Sequence, residues 1–228
     1  MCCRLAFDPD DYIYPRFGLT KKELIKPHFN ISPQQNVFVI TNDGIKNKLQ
    51  TMRWGLVPFW SKDEKIAYKT INARVESISE KASYRNSFVS KRCIIPASGF
   101  YEWQKSDKNK IPYFIKEKGS KYISLAGLYD SWKDQSGKEL QTFTIITLPA
   151  NSQMIPIHER MPALLDKENE QAWLNSKISD KDLLLNILHE AGDVEFDMHQ
   201  VSTQVNNPKN DSPDLIKSPL FFNFHTTN

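Results

Sequence analysis

Apolar residues fall mostly in short alternating or continuous runs divided by turn residues, the spacing of strands rather than of long helices. Residues 3–7 read as a short strand leading out of the terminus, and 8–11 as a turn or helix start. A helical turn or two is expected over 20–26, and the prolines bounding 28–33 favour extended or looped chain. Residues 37–41 are β-branched and aromatic, Asn42-Asp43-Gly44 is a hairpin turn, and the return strand covers 48–56. The stretch 71–76 is expected to run into a helix ending near Ser79, with a second short helix over 84–90. Residues 93–95 look like a fully buried strand, so Cys93 reads as structural. Further strands are expected over 111–116, 122–128 and 142–148, with turns at 107–110 and 134–137. Helical periodicity marks 167–176 and 180–191, the latter with a face of Leu183, Leu184, Leu185, Ile187 and Leu188 and a stop at Gly192. A last strand alternates over 194–201, and 206–228 reads as a loose, polar, proline-interrupted tail. Many strands with short turns imply a sheet-rich, barrel-like core.

Composition narrows the function without naming it. The 228 residues are 39% apolar and 25% charged, enough to bury a proper core in one sizeable domain or two small ones. A net charge of +3 is too weak to argue for nucleic acid by itself. No apolar run approaches the roughly 18 residues of a membrane span. Three cysteines without repeated spacing make no disulfide framework, and with no signal peptide ahead of them a cytoplasmic location is expected. The five histidines lack ligand spacing with the cysteines, so neither a metal nor another cofactor is expected. A monomer is expected.

The candidate chemistry starts at Met1-Cys2-Cys3-Arg4. A small second residue lets the start methionine be trimmed, which would leave Cys2 with a free α-amine beside its thiol. That amine titrates near ~7.7–8.0, against ~10.4 for a lysine, so a sizeable minority is neutral and nucleophilic at pH 7. It can condense with an aldehyde to an imine, and the adjacent thiol can then close a five-membered thiazolidine without further loss of entropy. The plain alternative is that Cys2 is a small buried hydrophobe. Glu102 lies between Tyr101 and Trp103 on an apolar stretch. There it is either desolvated and suited to proton transfer, or turned to solvent from a half-buried strand. His158 sits in a loop rich in turn signals, where catalytic groups gather. Trp54 reads as core, and Trp60, just before Ser61-Lys62-Asp63-Glu64, as an exposed stacking platform.

Five motifs then fall in one order: Met1-Cys2, Trp54-Gly55-Leu56-x-Pro58, Asn72-Ala73-Arg74-x-Glu76, Pro96-Ala97-x-Gly99-Phe100-Tyr101-Glu102-Trp103 and His158-x-Arg160-Met161-Pro162. In this the chain resembles the SOS-response-associated peptidase (SRAP) family of abasic-site processing proteins, from Cys2 to near Val201. The resemblance implies a single α+β catalytic domain over 1–205, an antiparallel β-barrel-like core flanked by helices. It implies capture of abasic sites in single-stranded DNA as a covalent crosslink through Cys2. Glu102 would serve acid–base chemistry beside the amine, and His158 would assist sugar-ring opening and the reverse reaction. Asn72 would orient the terminal residue, and Arg74 and Arg160 would grip phosphates with Arg4 close by. Two other readings share these residues: a thiol peptidase that releases Met1, and a non-catalytic binder of single strands. Cys3 stands where the family usually has glycine, which adds bulk and a second thiol beside the terminus. Intact-mass spectrometry of the purified chain should show the loss of Met1; a fully retained methionine would remove the basis for amine chemistry at Cys2.

Overall fold

A computed structural model of the chain describes residues 2–20, 24–106 and 109–219. Its elements, in order, are β1 (Leu5–Phe7), α1 (Ile13–Arg16), β2 (His28–Ile31), β3 (Asn36–Asn42), β4 (Asn47–Trp54), β5 (Asn72–Arg74), α2 (Arg85–Ser90), β6 (Arg92–Ala97), β7 (Gly99–Lys105), β8 (Lys110–Glu117), β9 (Ile123–Lys133), β10 (Glu139–Pro149), β11 (Arg160–Pro162), α3 (Lys167–Leu174), α4 (Lys181–Glu190) and β12 (Phe196–Gln200). Five strands close a barrel in the order β10-β4-β3-β6-β9, with β9 pairing back onto β10. Its pairings are antiparallel except at the short seam where Thr142 and Phe143 of β10 run parallel to Arg53 and Trp54 of β4. Beyond that seam β10 carries β5 on one side, parallel, and β11 on the other, antiparallel. A closed ring of strands leaves no edge open for pairing with another chain.

A second, antiparallel sheet has the order β12-β8-β7-β1-β2. The two sheets share one stretch of chain: β6 leaves the barrel, passes Ser98 and becomes β7. Every residue of β6 is buried, so it reads as a continuous apolar run, as strands covered on both faces do. Successive residues of the second sheet divide between two cores. Leu5, Phe7, Phe100 and Ile115 join the main core against the barrel, while Ala6, Tyr101 and Phe114 join a smaller one on the opposite face. Phe29, Val201, Val205 and Leu215 complete that smaller core.

The helices pack on the barrel through a buried guanidinium. Arg92 donates to the carbonyls of Phe88, Trp173, Asn175 and Ile178, which ties the end of α2 and the end of α3 to β6. Asp166 and Asp180 cap α3 and α4 by accepting from the backbone N–H of Asn169 and Leu183. Among the described residues no helix is long and apolar enough to cross a membrane.

Three expectations change. The helix expected after residue 76 is absent: residues 72–74 pair with β10 as a strand, and only a three-ten turn over Val75–Ser77 follows. Backbone pairing with a buried neighbour overrides the local helical pattern there. Thr20 and residues 24–26 form no helical turn, and 21–23 lie outside the described residues, as do 107–108 of the expected turn. The segment expected as a loose tail is docked over 206–217. Leu215 is 1% exposed, Asp211 accepts from the Phe29 N–H at 2.6 Å, and His199 Nε2 lies 2.8 Å from the Ile216 carbonyl. Residues 220–228 lie outside the described residues. Its polar composition hid one buried leucine, and one is enough to anchor a short segment. Leu215→Ala should therefore lower unfolding free energy by about 2–4 kcal/mol in chemical denaturation, where a loose tail would give no change.

Candidate active site

The amino-terminal segment enters the molecule as an added length of β1. Leu5 pairs with Phe100, and one step earlier the Tyr101 N–H donates to the Arg4 carbonyl at 2.9 Å. Before β1 the chain leaves the strand register, and both Cys2 and Cys3 come near the Glu102 carboxylate. Cys2 is fully buried in the main core, and its carbonyl accepts from Asn72 Nδ2 at 2.8 Å. Burial, and next the Glu102 carboxylate, push the Cys2 thiol well above its ordinary pKa. The same two causes raise the half-buried Cys3 thiol. Both thiols are therefore held protonated at neutral pH. Glu102 is 4% exposed, on the barrel-facing side of β7 with Phe100, so it does not turn to solvent. Its Oε1 accepts from the Trp103 N–H at 3.3 Å.

Asn72 is placed from behind. The Trp54 indole donates to the Ile71 carbonyl at 2.8 Å, and the Tyr84 hydroxyl donates to the Asn72 carbonyl at 3.2 Å. Gly55 holds φ +125°, and a Cβ there would stand 2.6 Å from the Ala67 carbonyl oxygen, so no side chain fits. The Leu56 carbonyl accepts from Thr70 Oγ1 at 2.6 Å, which pins the tryptophan-glycine-leucine turn under the chain leading into β5. Trp54 is fully buried, a core residue whose polar edge supports the site.

The last turn of β10 gathers the remaining motifs. Arg74 pairs in register with Thr147, and Arg160 with Pro149 on the other side. Arg160 is buried, and its guanidinium forms a two-pronged ion pair with Glu76 while donating to the Thr147 carbonyl at 2.6 Å. The arginine expected to grip phosphate is thus held in place by internal bonds. Arg74, by contrast, is exposed. The Arg160 N–H donates to His158 Nδ1 at 2.9 Å. The same Nδ1 lies 3.3 Å from the Arg160 carbonyl, so both contacts orient the ring.

Arg4 is likewise engaged: Nη1 donates to Asn30 Oδ1 at 2.7 Å and to the Val205 carbonyl at 2.8 Å, and the guanidinium stacks on Trp103, 5.8 Å from the ring centroid. Trp60 is 47% exposed on a turn, its indole donating to the Ala82 carbonyl. No hydrogen bond among the described residues joins it to Cys2, Asn72 or Glu102. The same turn is anchored by Asp130, which accepts from the Phe59 N–H at 2.9 Å. The described residues hold no group of three or more His, Cys, Asp or Glu side chains suited to a metal ion. Sequence reasoning missed Asn30, Thr147 and Tyr84. A lone amide between Phe29 and Ile31 was a usable signal for Asn30; the other two show only in three dimensions.

Residues 1–208 match the family model described as SOS response associated peptidase (SRAP). The chain belongs to the SRAP family. It is 52% identical over 223 residues to the abasic site processing protein YoqW of Bacillus subtilis, covering 96% of this chain and all of that one. It is 37% identical to the abasic site processing protein HMCES of Xenopus tropicalis, over 89% of this chain and 69% of that one. Among solved structures, a protein from Bacteroides thetaiotaomicron superimposes with a TM-score of 0.74 at 33% identity, covering 83% of this chain and 84% of that one. The barrel with its second sheet is thus the SRAP fold.

The Arg160–Glu76 pair supports a prediction. Hydrogen bonding to Arg160 holds the Glu76 carboxyl below its ordinary pKa. A carboxyl whose pKa is lower folded than unfolded adds stability at pH above the unfolded value, and loses it as pH falls through the folded one. Glu76→Gln should cost about 1–3 kcal/mol at pH 7 by leaving a buried charge poorly paired. It should also flatten the loss of stability that the wild type shows below about pH 4.5. Denaturation curves across pH 3–7 measure both effects.

Proposed function

We propose that this chain captures abasic sites in single-stranded DNA covalently, through Cys2 once Met1 has been removed. The observation that carries the reading is a buried Cys2 held through its carbonyl by Asn72 beside the carboxylate of Glu102. Membership of a family with relatives named abasic site processing proteins supports it.

An abasic deoxyribose is mostly a closed hemiacetal with a little open aldehyde. His158 assists ring opening. The neutral Cys2 amine attacks the aldehyde carbon, and water leaves as the C=N bond forms, with Glu102 carrying the proton to the departing hydroxyl. The Cys2 thiol then adds to the imine carbon. A C–S bond forms, the C=N bond becomes C–N, and the thiol proton ends on the nitrogen, relayed by Glu102. The protonated thiol suits this order, amine first and sulfur second. It argues against a general thiol protease, which needs the thiolate as its attacking form. Ring closure removes the iminium that would otherwise pull β-elimination and break the strand. Asn72 Oδ1 has no hydrogen-bond partner among the described residues, which supports a role for it as acceptor from the freed amine. Arg74 and Trp60, the exposed members of the expected DNA-binding set, meet phosphate and base without reading sequence. Arg4 and Arg160 act from within, holding the terminus and His158.

The test is a denaturing gel with an abasic oligonucleotide. The processed wild type should give a heat-stable adduct. Cys2→Ala keeps an amine but no thiol, and should give a borohydride-trappable imine and strand scission instead. Glu102→Gln should slow adduct formation by about 10²-fold or more. A wild type equally active with Met1 in place would overturn the proposal.

A further inference from the structure

Asn30 lies on β2, far in sequence from every motif above, and is fully buried. Its Nδ2 donates to three carbonyls of the C-terminal segment, Val205 at 3.3 Å, Asn207 at 3.0 Å and Asn210 at 2.8 Å. Its Oδ1 accepts from Arg4, two residues after Cys2. Arg4 reaches the Val205 carbonyl with the same nitrogen and stacks on Trp103, the neighbour of Glu102. The Trp103 indole in turn donates to Asn206 Oδ1 at 2.8 Å. One buried amide thus joins the segment 205–210 to the residues flanking both the proposed nucleophile and the proposed acid–base group. Farther out, Asp211 and Leu215 fasten the same segment to β2 and to the smaller core. That outer part lies beyond residue 208, where the family match ends.

From this we infer that residues 205–217 are a strap that sets the position of the reactive terminus, with Asn30 as its positioning residue. The inference rests on the crosslinking chemistry proposed above. A chain end has a covalent neighbour on one side only and frays unless tied down. Asn72 holds Cys2 at one point. Tyr101 holds the Arg4 carbonyl, and the Arg4 guanidinium, clasped by Asn30 and Val205, adds a side-chain restraint from the strap. With these restraints, the amine faces the aldehyde carbon at a fixed angle, and such orientation controls the rate of the chemical step more than the strength of DNA binding.

Two variants test this. Asn30→Asp keeps an oxygen for Arg4 but turns an oxygen, in place of an amide donor, toward the three carbonyls. Asp211→Ala frees the outer strap without touching Arg4. Each is assayed where circular dichroism shows it folded. The first-order rate of adduct formation at saturating abasic oligonucleotide should fall about tenfold for Asn30→Asp, and less for Asp211→Ala. The Kd for an oligonucleotide carrying tetrahydrofuran, which has no aldehyde, should stay within about twofold. Iodoacetamide labelling of Cys2, followed by peptide mass in a Cys3→Ala background, should speed up in both variants, whatever the DNA chemistry. Wild-type adduct rates, a parallel loss of rate and Kd, or unchanged labelling would each overturn the strap. A wild type that forms no adduct would instead sink the proposed function, and the labelling would still decide the strap.

Discussion

A carbonyl held at 2.8 Å by a buried amide turns the first residues of this chain from a loose end into part of the core. Asn72 can do this because β5 is itself locked, paired along β10 and bonded from behind by Trp54 and Tyr84. Once Cys2 is drawn inside, its electrostatics follow. The thiol loses water and faces a carboxylate, so it stays protonated. That protonation state fits the order proposed for the chemistry, amine first and sulfur second. The closed barrel supplies the stiffness on which this placement relies.

The arginines divide by burial, not by type. Arg4, Arg92 and Arg160 spend their hydrogen bonds on carbonyls or on Glu76, and they join segments far apart in sequence. Arg74 alone of the SRAP motif arginines faces outward. A guanidinium presents five donors in a rigid plane, so it can close several backbone ends at once where a lysine could not. In Arg4, Arg92 and Arg160 that geometry joins segments of the protein to one another.

Much of this was legible beforehand. The strands at 37–41, 111–116 and 142–148, the hairpin at 42–44 and the helices at 167–176 and 180–191 appear within a few residues, because their periodicity is long and local. The motif order led to the SRAP family. What stayed hidden depended on partners distant in sequence. A strand of three residues such as β5 has no periodicity to read, and only β10 makes it one. The ion pair of Arg160 stayed hidden because nothing in its neighbourhood announces that Glu76, 84 residues away, will meet it. The polar stretch after 205 looked loose because its hold comes from backbone carbonyls and a single leucine, neither of which changes composition.

The clasp between Arg4 and Val205 spans 201 positions. Synthesis proceeds from the amino end, so Cys2 and Arg4 are made long before Val205. Until then the terminal segment has only its bonds to Asn30, Asn72 and Tyr101. Such distant closure is slow to form. The full Arg4 restraint on the terminal segment thus exists only in a chain that extends at least as far as Val205.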